Sequence, residues 1–206
     1  IRLVEKYTHK GILNYLKEKG YPLERIMKII SKEDTTKISD ADKDFVIGIM
    51  RDIGIPKEGM YLRKIIPHVR LKNIKRNKTI RGFIANTDHV SSLNTFEEIF
   101  EALKLEANTD FKPDDETYIE YLTMMSNRDK LAIPINKNTG QLKPPCNGLG
   151  ATASIYGIFP EYYMKRRYLR DGDILNIRNS KTGNIINSFK YNDKRGWIKE
   201  GENKWR

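Results

Sequence analysis

The sequence predicts an α+β fold, and three observations carry that expectation. Apolar residues recur at helical spacing through the first third of the chain. The period shortens near residue 69, and the C-terminal end alternates between apolar runs and turn signals.

Thr8 is placed to cap a helix carrying Ile12, Leu13 and Leu16, with Gly20 as its stop. Pro22 suits the first position of a second helix, whose Leu23, Ile26, Met27 and Ile30 fall at i, i+3, i+4 and i+7. Ser39 with Asp42 resembles a capping box ahead of Phe45, Val46, Ile49, Met50 and Ile53, and Gly54 closes that helix. A shorter helix is expected over 57–66, ending before Pro67.

Val69, Leu71 and Ile74 then precede Lys75-Arg76-Asn77-Lys78, with Ile80, Phe83 and Ile84 beyond. This pattern predicts a basic β-hairpin over 69–84. Helices followed by such a hairpin make the outline of a winged helix-turn-helix. In that outline Met60–Ile66 is the recognition helix, exposing Arg63 and Lys64, and Arg70, Lys72, Lys75, Arg76, Lys78 and Arg81 line the wing. A basic hairpin inside another α+β fold is the alternative.

The middle reads as helical and acidic. Thr95 with Glu98 forms a capping box before Phe96, Ile99, Phe100 and Leu103. Pro113, Asp114, Asp115 and Glu116 suit the start of a further helix, with Tyr118, Leu122 and Met125 facing inward. A soft boundary near residue 130 divides a mainly helical region, 1–130, from an α+β region, 131–206. In the second region Asn138-Thr139-Gly140 and Pro144-Pro145 are turn signals. The small-residue run 148–154 matches neither the P-loop nor the dinucleotide fingerprint. Tyr156, Phe159, Tyr162, Tyr163, Lys165, Arg166, Arg167, Tyr168 and Arg170 interleave aromatics with cations. As a helix over 160–169, this run sets Tyr162, Arg166 and Leu169 on one side and Tyr163 and Arg167 on the adjoining one. A β-meander follows, with turns at 179–183 and 193–196.

Charge is the strongest functional signal. The net charge is +11, distributed in blocks. Residues 1–62 sum to +2, residues 63–87 to +8 with no acid among them, residues 88–120 to −8, and residues 121–206 to +9. Like-charge blocks repel themselves unless a partner offsets them. The partner class this favours is nucleic acid, with DNA preferred over RNA. Arg and Lys would meet the phosphates, and the cations Arg166, Arg167 and Arg170 with the Tyr163 ring would form a second contact surface. Oppositely charged blocks also allow a homo-oligomer, or an interaction module of a larger viral or phage assembly.

Several classes are not expected. No apolar run approaches the ~20 residues that span a bilayer. The first residues lack the apolar core of a signal peptide, and a single cysteine, Cys146, forms no intrachain disulfide, so an intracellular setting is expected. His9, His68 and His89 are far apart, so a Cys/His zinc site is not expected either. No cofactor is predicted, except Mg²⁺ if the chain is a nuclease. For that alternative the weak catalytic candidates are Asp171 and Asp173, which lie near Glu161 and Lys165, together with Asp114. An E-x-K triplet, Glu202-Asn203-Lys204, stands too far from Asp114 to make a familiar nuclease pattern.

Overall fold

The N-terminal helices form where the punctuation placed them. A computed structural model describes residues 2–32, 37–108, 110–112, 114–135 and 148–201. It begins with α1 (Arg2–Tyr7), α2 (Lys10–Glu18), α3 (Leu23–Ile30) and α4 (Asp40–Ile53). Ser39 Oγ accepts from the Asp42 N–H at 3.2 Å, and Gly54 ends α4 at φ 77°, a backbone state glycine adopts without a Cβ clash. The cap of α2 is His9 rather than Thr8: His9 Nδ1 accepts from the Gly11 N–H. Thr8 is buried and its hydroxyl accepts from the Ile158 N–H at 3.1 Å, joining the α1–α2 corner to a distant strand. Pro22 caps α3 instead of opening it.

The expected winged-helix outline gives way to strands at this point. Residues Tyr61–Pro67 are strand β1, not a recognition helix. Leu62, Ile65 and Ile66 are buried on the two faces of a central strand, and two-sided burial produces apolar spacing that imitates i, i+3, i+4. The basic stretch is no hairpin either. After a 3-10 turn at His68–Arg70 comes helix α5 (Leu71–Asn77), then strand β2 (Thr79–Asn86). Lys78 joins them in the left-handed conformation, φ 50°.

Helix α6 (Phe96–Ala102) carries the reciprocal Thr95–Glu98 capping box. The helix expected after residue 113 is strand β3 (Thr117–Met124), with Tyr118, Ile119, Glu120, Tyr121 and Thr123 all buried. Next come β4 (Leu131–Ala132), β5 (Ala151–Ser154), β6 (Gly157–Pro160) and β7 (Tyr162–Tyr168). The helix expected over 160–169 is thus β7. The C-terminal meander forms as read, as β8 (Ile174–Asn179), β9 (Ile185–Asn192) and β10 (Gly196–Lys199). Cys146, the turn signals over 138–145, Pro113 and residues 202–204 lie outside the described residues.

Eight strands form one antiparallel sheet in the order β10-β9-β8-β3-β1-β2-β7-β4, with β5–β6 as a separate hairpin. The large sheet draws strands from both sides of residue 130. One face packs on α5: Leu62, Ile80, Ile84, Ile119, Tyr162 and Met164 share a core with Leu71 and Ile74. On the opposite face Ile65, Ala85 and Tyr118 pack under α6 through Phe96 and Ile99. Helices α2 to α4 build a third core against β5, β6 and Leu149. Strands β1 and β2 pair only at Leu62–Asn86 and Arg63–Ala85 and then separate, leaving a split in the sheet. Among the described residues, no helix is long and apolar enough to cross a membrane.

Candidate nucleic-acid interface

Two of the predicted cations, Arg81 and Arg166, stand opposite each other in the register of the β2–β7 ladder. The cause is a β-bulge. Ile80 pairs with Arg167 and Gly82 with Met164, so Arg81 stands opposite both Lys165 and Arg166. Strand residues alternate between faces. With Ile80, Ile84, Tyr162 and Met164 committed to the α5 core, Arg81, Phe83, Tyr163, Lys165 and Tyr168 project from the α6 face. Arg81, Lys165, Arg166 and Tyr168 are exposed, Tyr168 to 78%. Phe83 and Tyr163 meet edge to face, 5.6 Å between ring centroids. Exposed Lys78 opens β2, and exposed Lys130 accepts the Lys165 N–H on its carbonyl. Residues 78–84, 130–132 and 162–168 contain no carboxylate. This part of the ladder and its ends therefore carry five exposed cations, Lys78, Arg81, Lys130, Lys165 and Arg166, with Tyr168 exposed and Phe83 and Tyr163 half-buried among them.

Other predicted contact residues are engaged elsewhere. The Arg63 side chain is only 10% exposed, with Nε 2.7 Å from Glu120 Oε1, and Arg178 Nε lies 2.6 Å from the second oxygen. Burial pushes the Glu120 carboxyl up, yet Arg63, Asn176 and Arg178 together hold it below the ordinary range. Lys64 is half-buried and donates to the Phe83 carbonyl at 2.7 Å. Neither residue is presented to a DNA groove. Arg70 pairs with Asp110. Lys75 lies 3.7 Å from the centroid of the Phe189 ring, and its partial burial lowers its pKa. Lys72 and Arg76 are exposed on α5, the helix that covers the other face of the sheet.

Arg167 belongs to an interior network. Its Nη2 donates to both oxygens of Asp173, at 2.9 and 2.8 Å, and to the hydroxyls of Tyr121 and Thr123. Tyr121 and Thr123 donate in turn to Asp173, at 2.7 and 2.6 Å. Asp129 lies 3.6 Å from Arg167 Nη1 and 2.9 Å from Arg170 Nη2, and Arg170 also donates to the Met124 carbonyl. Hence Arg167 and Arg170 hold strands together, and the buried carboxylate of Asp173 is saturated by protein donors.

The catalytic candidates are not assembled. Asp171 is exposed and accepts from the Asp193 N–H. Asp114 precedes Thr117, which pairs with Asn179, whereas Asp173 sits beside Thr123, so the length of β3 separates them. Among the described residues, no three His, Cys, Asp or Glu side chains converge to hold a metal ion.

Sequence reasoning pointed at Lys78, Arg81, Tyr163 and Arg166 but passed over Phe83, Lys130, Lys165 and Tyr168 as contact residues. The interleaving of Tyr and Lys/Arg over 162–168 was the available signal, and the bulge concealed its two-residue period. No family model, curated protein or solved structure matches this chain.

Proposed function

We propose that this chain binds single-stranded nucleic acid along the exposed strip of the β2–β7 ladder. One observation carries the reading: a bulge sets exposed Lys165 and Arg166 opposite exposed Arg81, next to the exposed Tyr168 ring, with no carboxylate in residues 78–84 or 162–168. Cations attract the phosphate backbone, and exposed rings offer stacking faces to unpaired bases. A paired duplex keeps its bases stacked inside, so the exposed Tyr168 ring has more to gain from a single strand. The partner class read from charge is thereby retained, while the contact moves from a helix and wing to a sheet.

Fluorescence anisotropy with labelled single-stranded DNA, single-stranded RNA and duplex DNA tests the reading. Salt-sensitive binding is expected, strongest for a single strand. Equal or stronger binding of the duplex, or none at low salt, overturns it.

A further inference from the structure

The split between β1 and β2 opens into a cavity of about 140 Å³. Where the pairing stops, half-buried Lys64 reaches across and donates to the Phe83 carbonyl of β2 at 2.7 Å. Its Nζ lies against Gly82, 3.4 Å from the point where a Cβ would stand. Glu161 lines the same cavity from the start of β7 and is only 6% exposed. Its backbone N–H donates to the Gly150 carbonyl at 3.0 Å, but no described residue donates a hydrogen bond to its carboxyl group or forms an ion pair with it. The other charged side chains of the lining, Arg63 and Lys104, are matched by Glu120 and Glu101. Lys64 and Glu161 are thus the two charged groups of the cavity whose protons no ion pair fixes.

Burial pushes the Lys64 ammonium down and the Glu161 carboxyl up, both to about 8, with each opposing the other's shift. At pH 7 about a tenth of Lys64 is then free amine, against about one part in 3,000 for an ordinary lysine. One N–H of that amine is committed to Phe83, which leaves its lone pair for an electrophile. Glu161 at the same pH keeps its proton and can deliver it. An amine nucleophile with a proton carrier in one cavity is the set that imine formation uses, and no further reactant is required.

We propose that the cavity is a covalent site for a small aldehyde, held as an imine on Lys64 with Glu161 carrying the proton. The Lys64 lone pair forms the N–C bond, the carbonyl π pair moves to oxygen, and that oxygen takes the Glu161 proton. The nitrogen, now cationic, returns a proton to the Glu161 carboxylate. Glu161 then protonates the hydroxyl, the C–O bond breaks as water leaves, and the nitrogen lone pair closes the C=N bond. A protonated imine is left beside a carboxylate, which balances its charge. The site requires no nucleic acid and stands apart from the strip.

Propanal is added to the folded protein at several pH values and trapped with borohydride, which reduces the imine to a stable secondary amine. Peptide mass spectrometry reads the label on Lys64, with a short lysine peptide in the same tube as reference. At pH 7 Lys64 should be labelled about tenfold faster than the peptide. Attack needs Lys64 free and Glu161 protonated together, so labelling should peak near pH 8 and fall at least about tenfold two units to either side. The reference peptide should rise throughout that range. Glu161→Gln should lower the maximum and remove the falling limb. Labelling of Lys64 no faster than the peptide at pH 7, a wild-type profile that rises as the peptide does, or a peak that survives Glu161→Gln overturns the proposal. The first two are read on the wild type, so they decide even if the variant does not fold.

Discussion

The double variant R81A/R166A gives the sharpest check on the strip. Both side chains are exposed and have no partner among the described residues, so their removal changes folding stability little, within about 0.5 kcal/mol each. Binding should respond strongly. For a single strand, each neutralised phosphate contributes about −0.7 to the slope of log K against log salt, so five cations give about −3.5 and three about −2.1. Between about 50 and about 200 mM salt, the wild type should lose about 130-fold in affinity and the variant about 18-fold. The assay is a salt series of anisotropy titrations with one labelled single strand. The control is K72A/R76A, which removes the same charge from α5 on the other side of the sheet. That variant should keep a slope near the wild-type value. If both double variants flatten the slope equally, binding follows net charge rather than the strip. If neither does, the strip is not where phosphate is met.

Three other outcomes follow from side chains already placed. Asp173→Asn removes the carboxylate that takes both close contacts of Arg167, leaving it only that of Asp129 at 3.6 Å, and should cost about 3 kcal/mol in urea unfolding, against about 1 kcal/mol or less for Asp171→Asn at the surface. Tyr168→Ala should leave the unfolding midpoint unchanged but weaken single-strand binding by about 1–3 kcal/mol, read by anisotropy, if its ring stacks on a base. His89 is held down to about 4 by burial first and by the neighbouring His9 second, with Asp88 opposing. Between about 4 and the ordinary 6.5, the unfolded chain binds a proton that the folded chain refuses. Stability should thus be full above about pH 6.5 and fall by up to about 3 kcal/mol as pH drops to 4. Denaturant unfolding at several pH values should show this fall, and His89→Asn should flatten it.

What the sequence made legible is what local chemistry dictates. Helices α4 and α6 begin at their side-chain caps, α4 ends at Gly54, α3 carries its buried face at the expected spacing, and the C-terminal meander lies between its turn signals. Two of the misread elements, β1 and β3, share one cause, namely tertiary burial that erases the period. Strand β1 is covered on both faces, so Leu62, Ile65 and Ile66 imitate a helical stripe, and Tyr118, Leu122 and Met125 do the same around β3. In β7 the bulge adds a residue between Met164 and Arg167, which breaks the alternation that would mark a strand. The candidate site was half visible for the same reason: composition named the aromatics and cations of 162–168, but only pairing with β2 decides which of them share a face.

Pairing also explains why total charge was a blunt guide. The acid-free block 63–87 looks like one positive surface, yet its members have different fates. Arg63 neutralises Glu120 in the interior, Arg70 is matched by Asp110, Lys75 lies over Phe189, and Lys64 faces a cavity. In the C-terminal region Arg167, Arg170 and Arg178 are likewise bound to Asp173, Asp129 and Glu120. The acidic block 88–120 supplies Glu120 and Asp110 to this matching, so part of the −8 offsets part of the +8 inside one fold rather than between copies of the chain. Cations that remain unmatched among the described residues include Arg81, Lys165 and Arg166, which a single bulge brings together. Self-repulsion of such a cluster costs folding energy, and among the described residues no carboxylate forms an ion pair with any of the three.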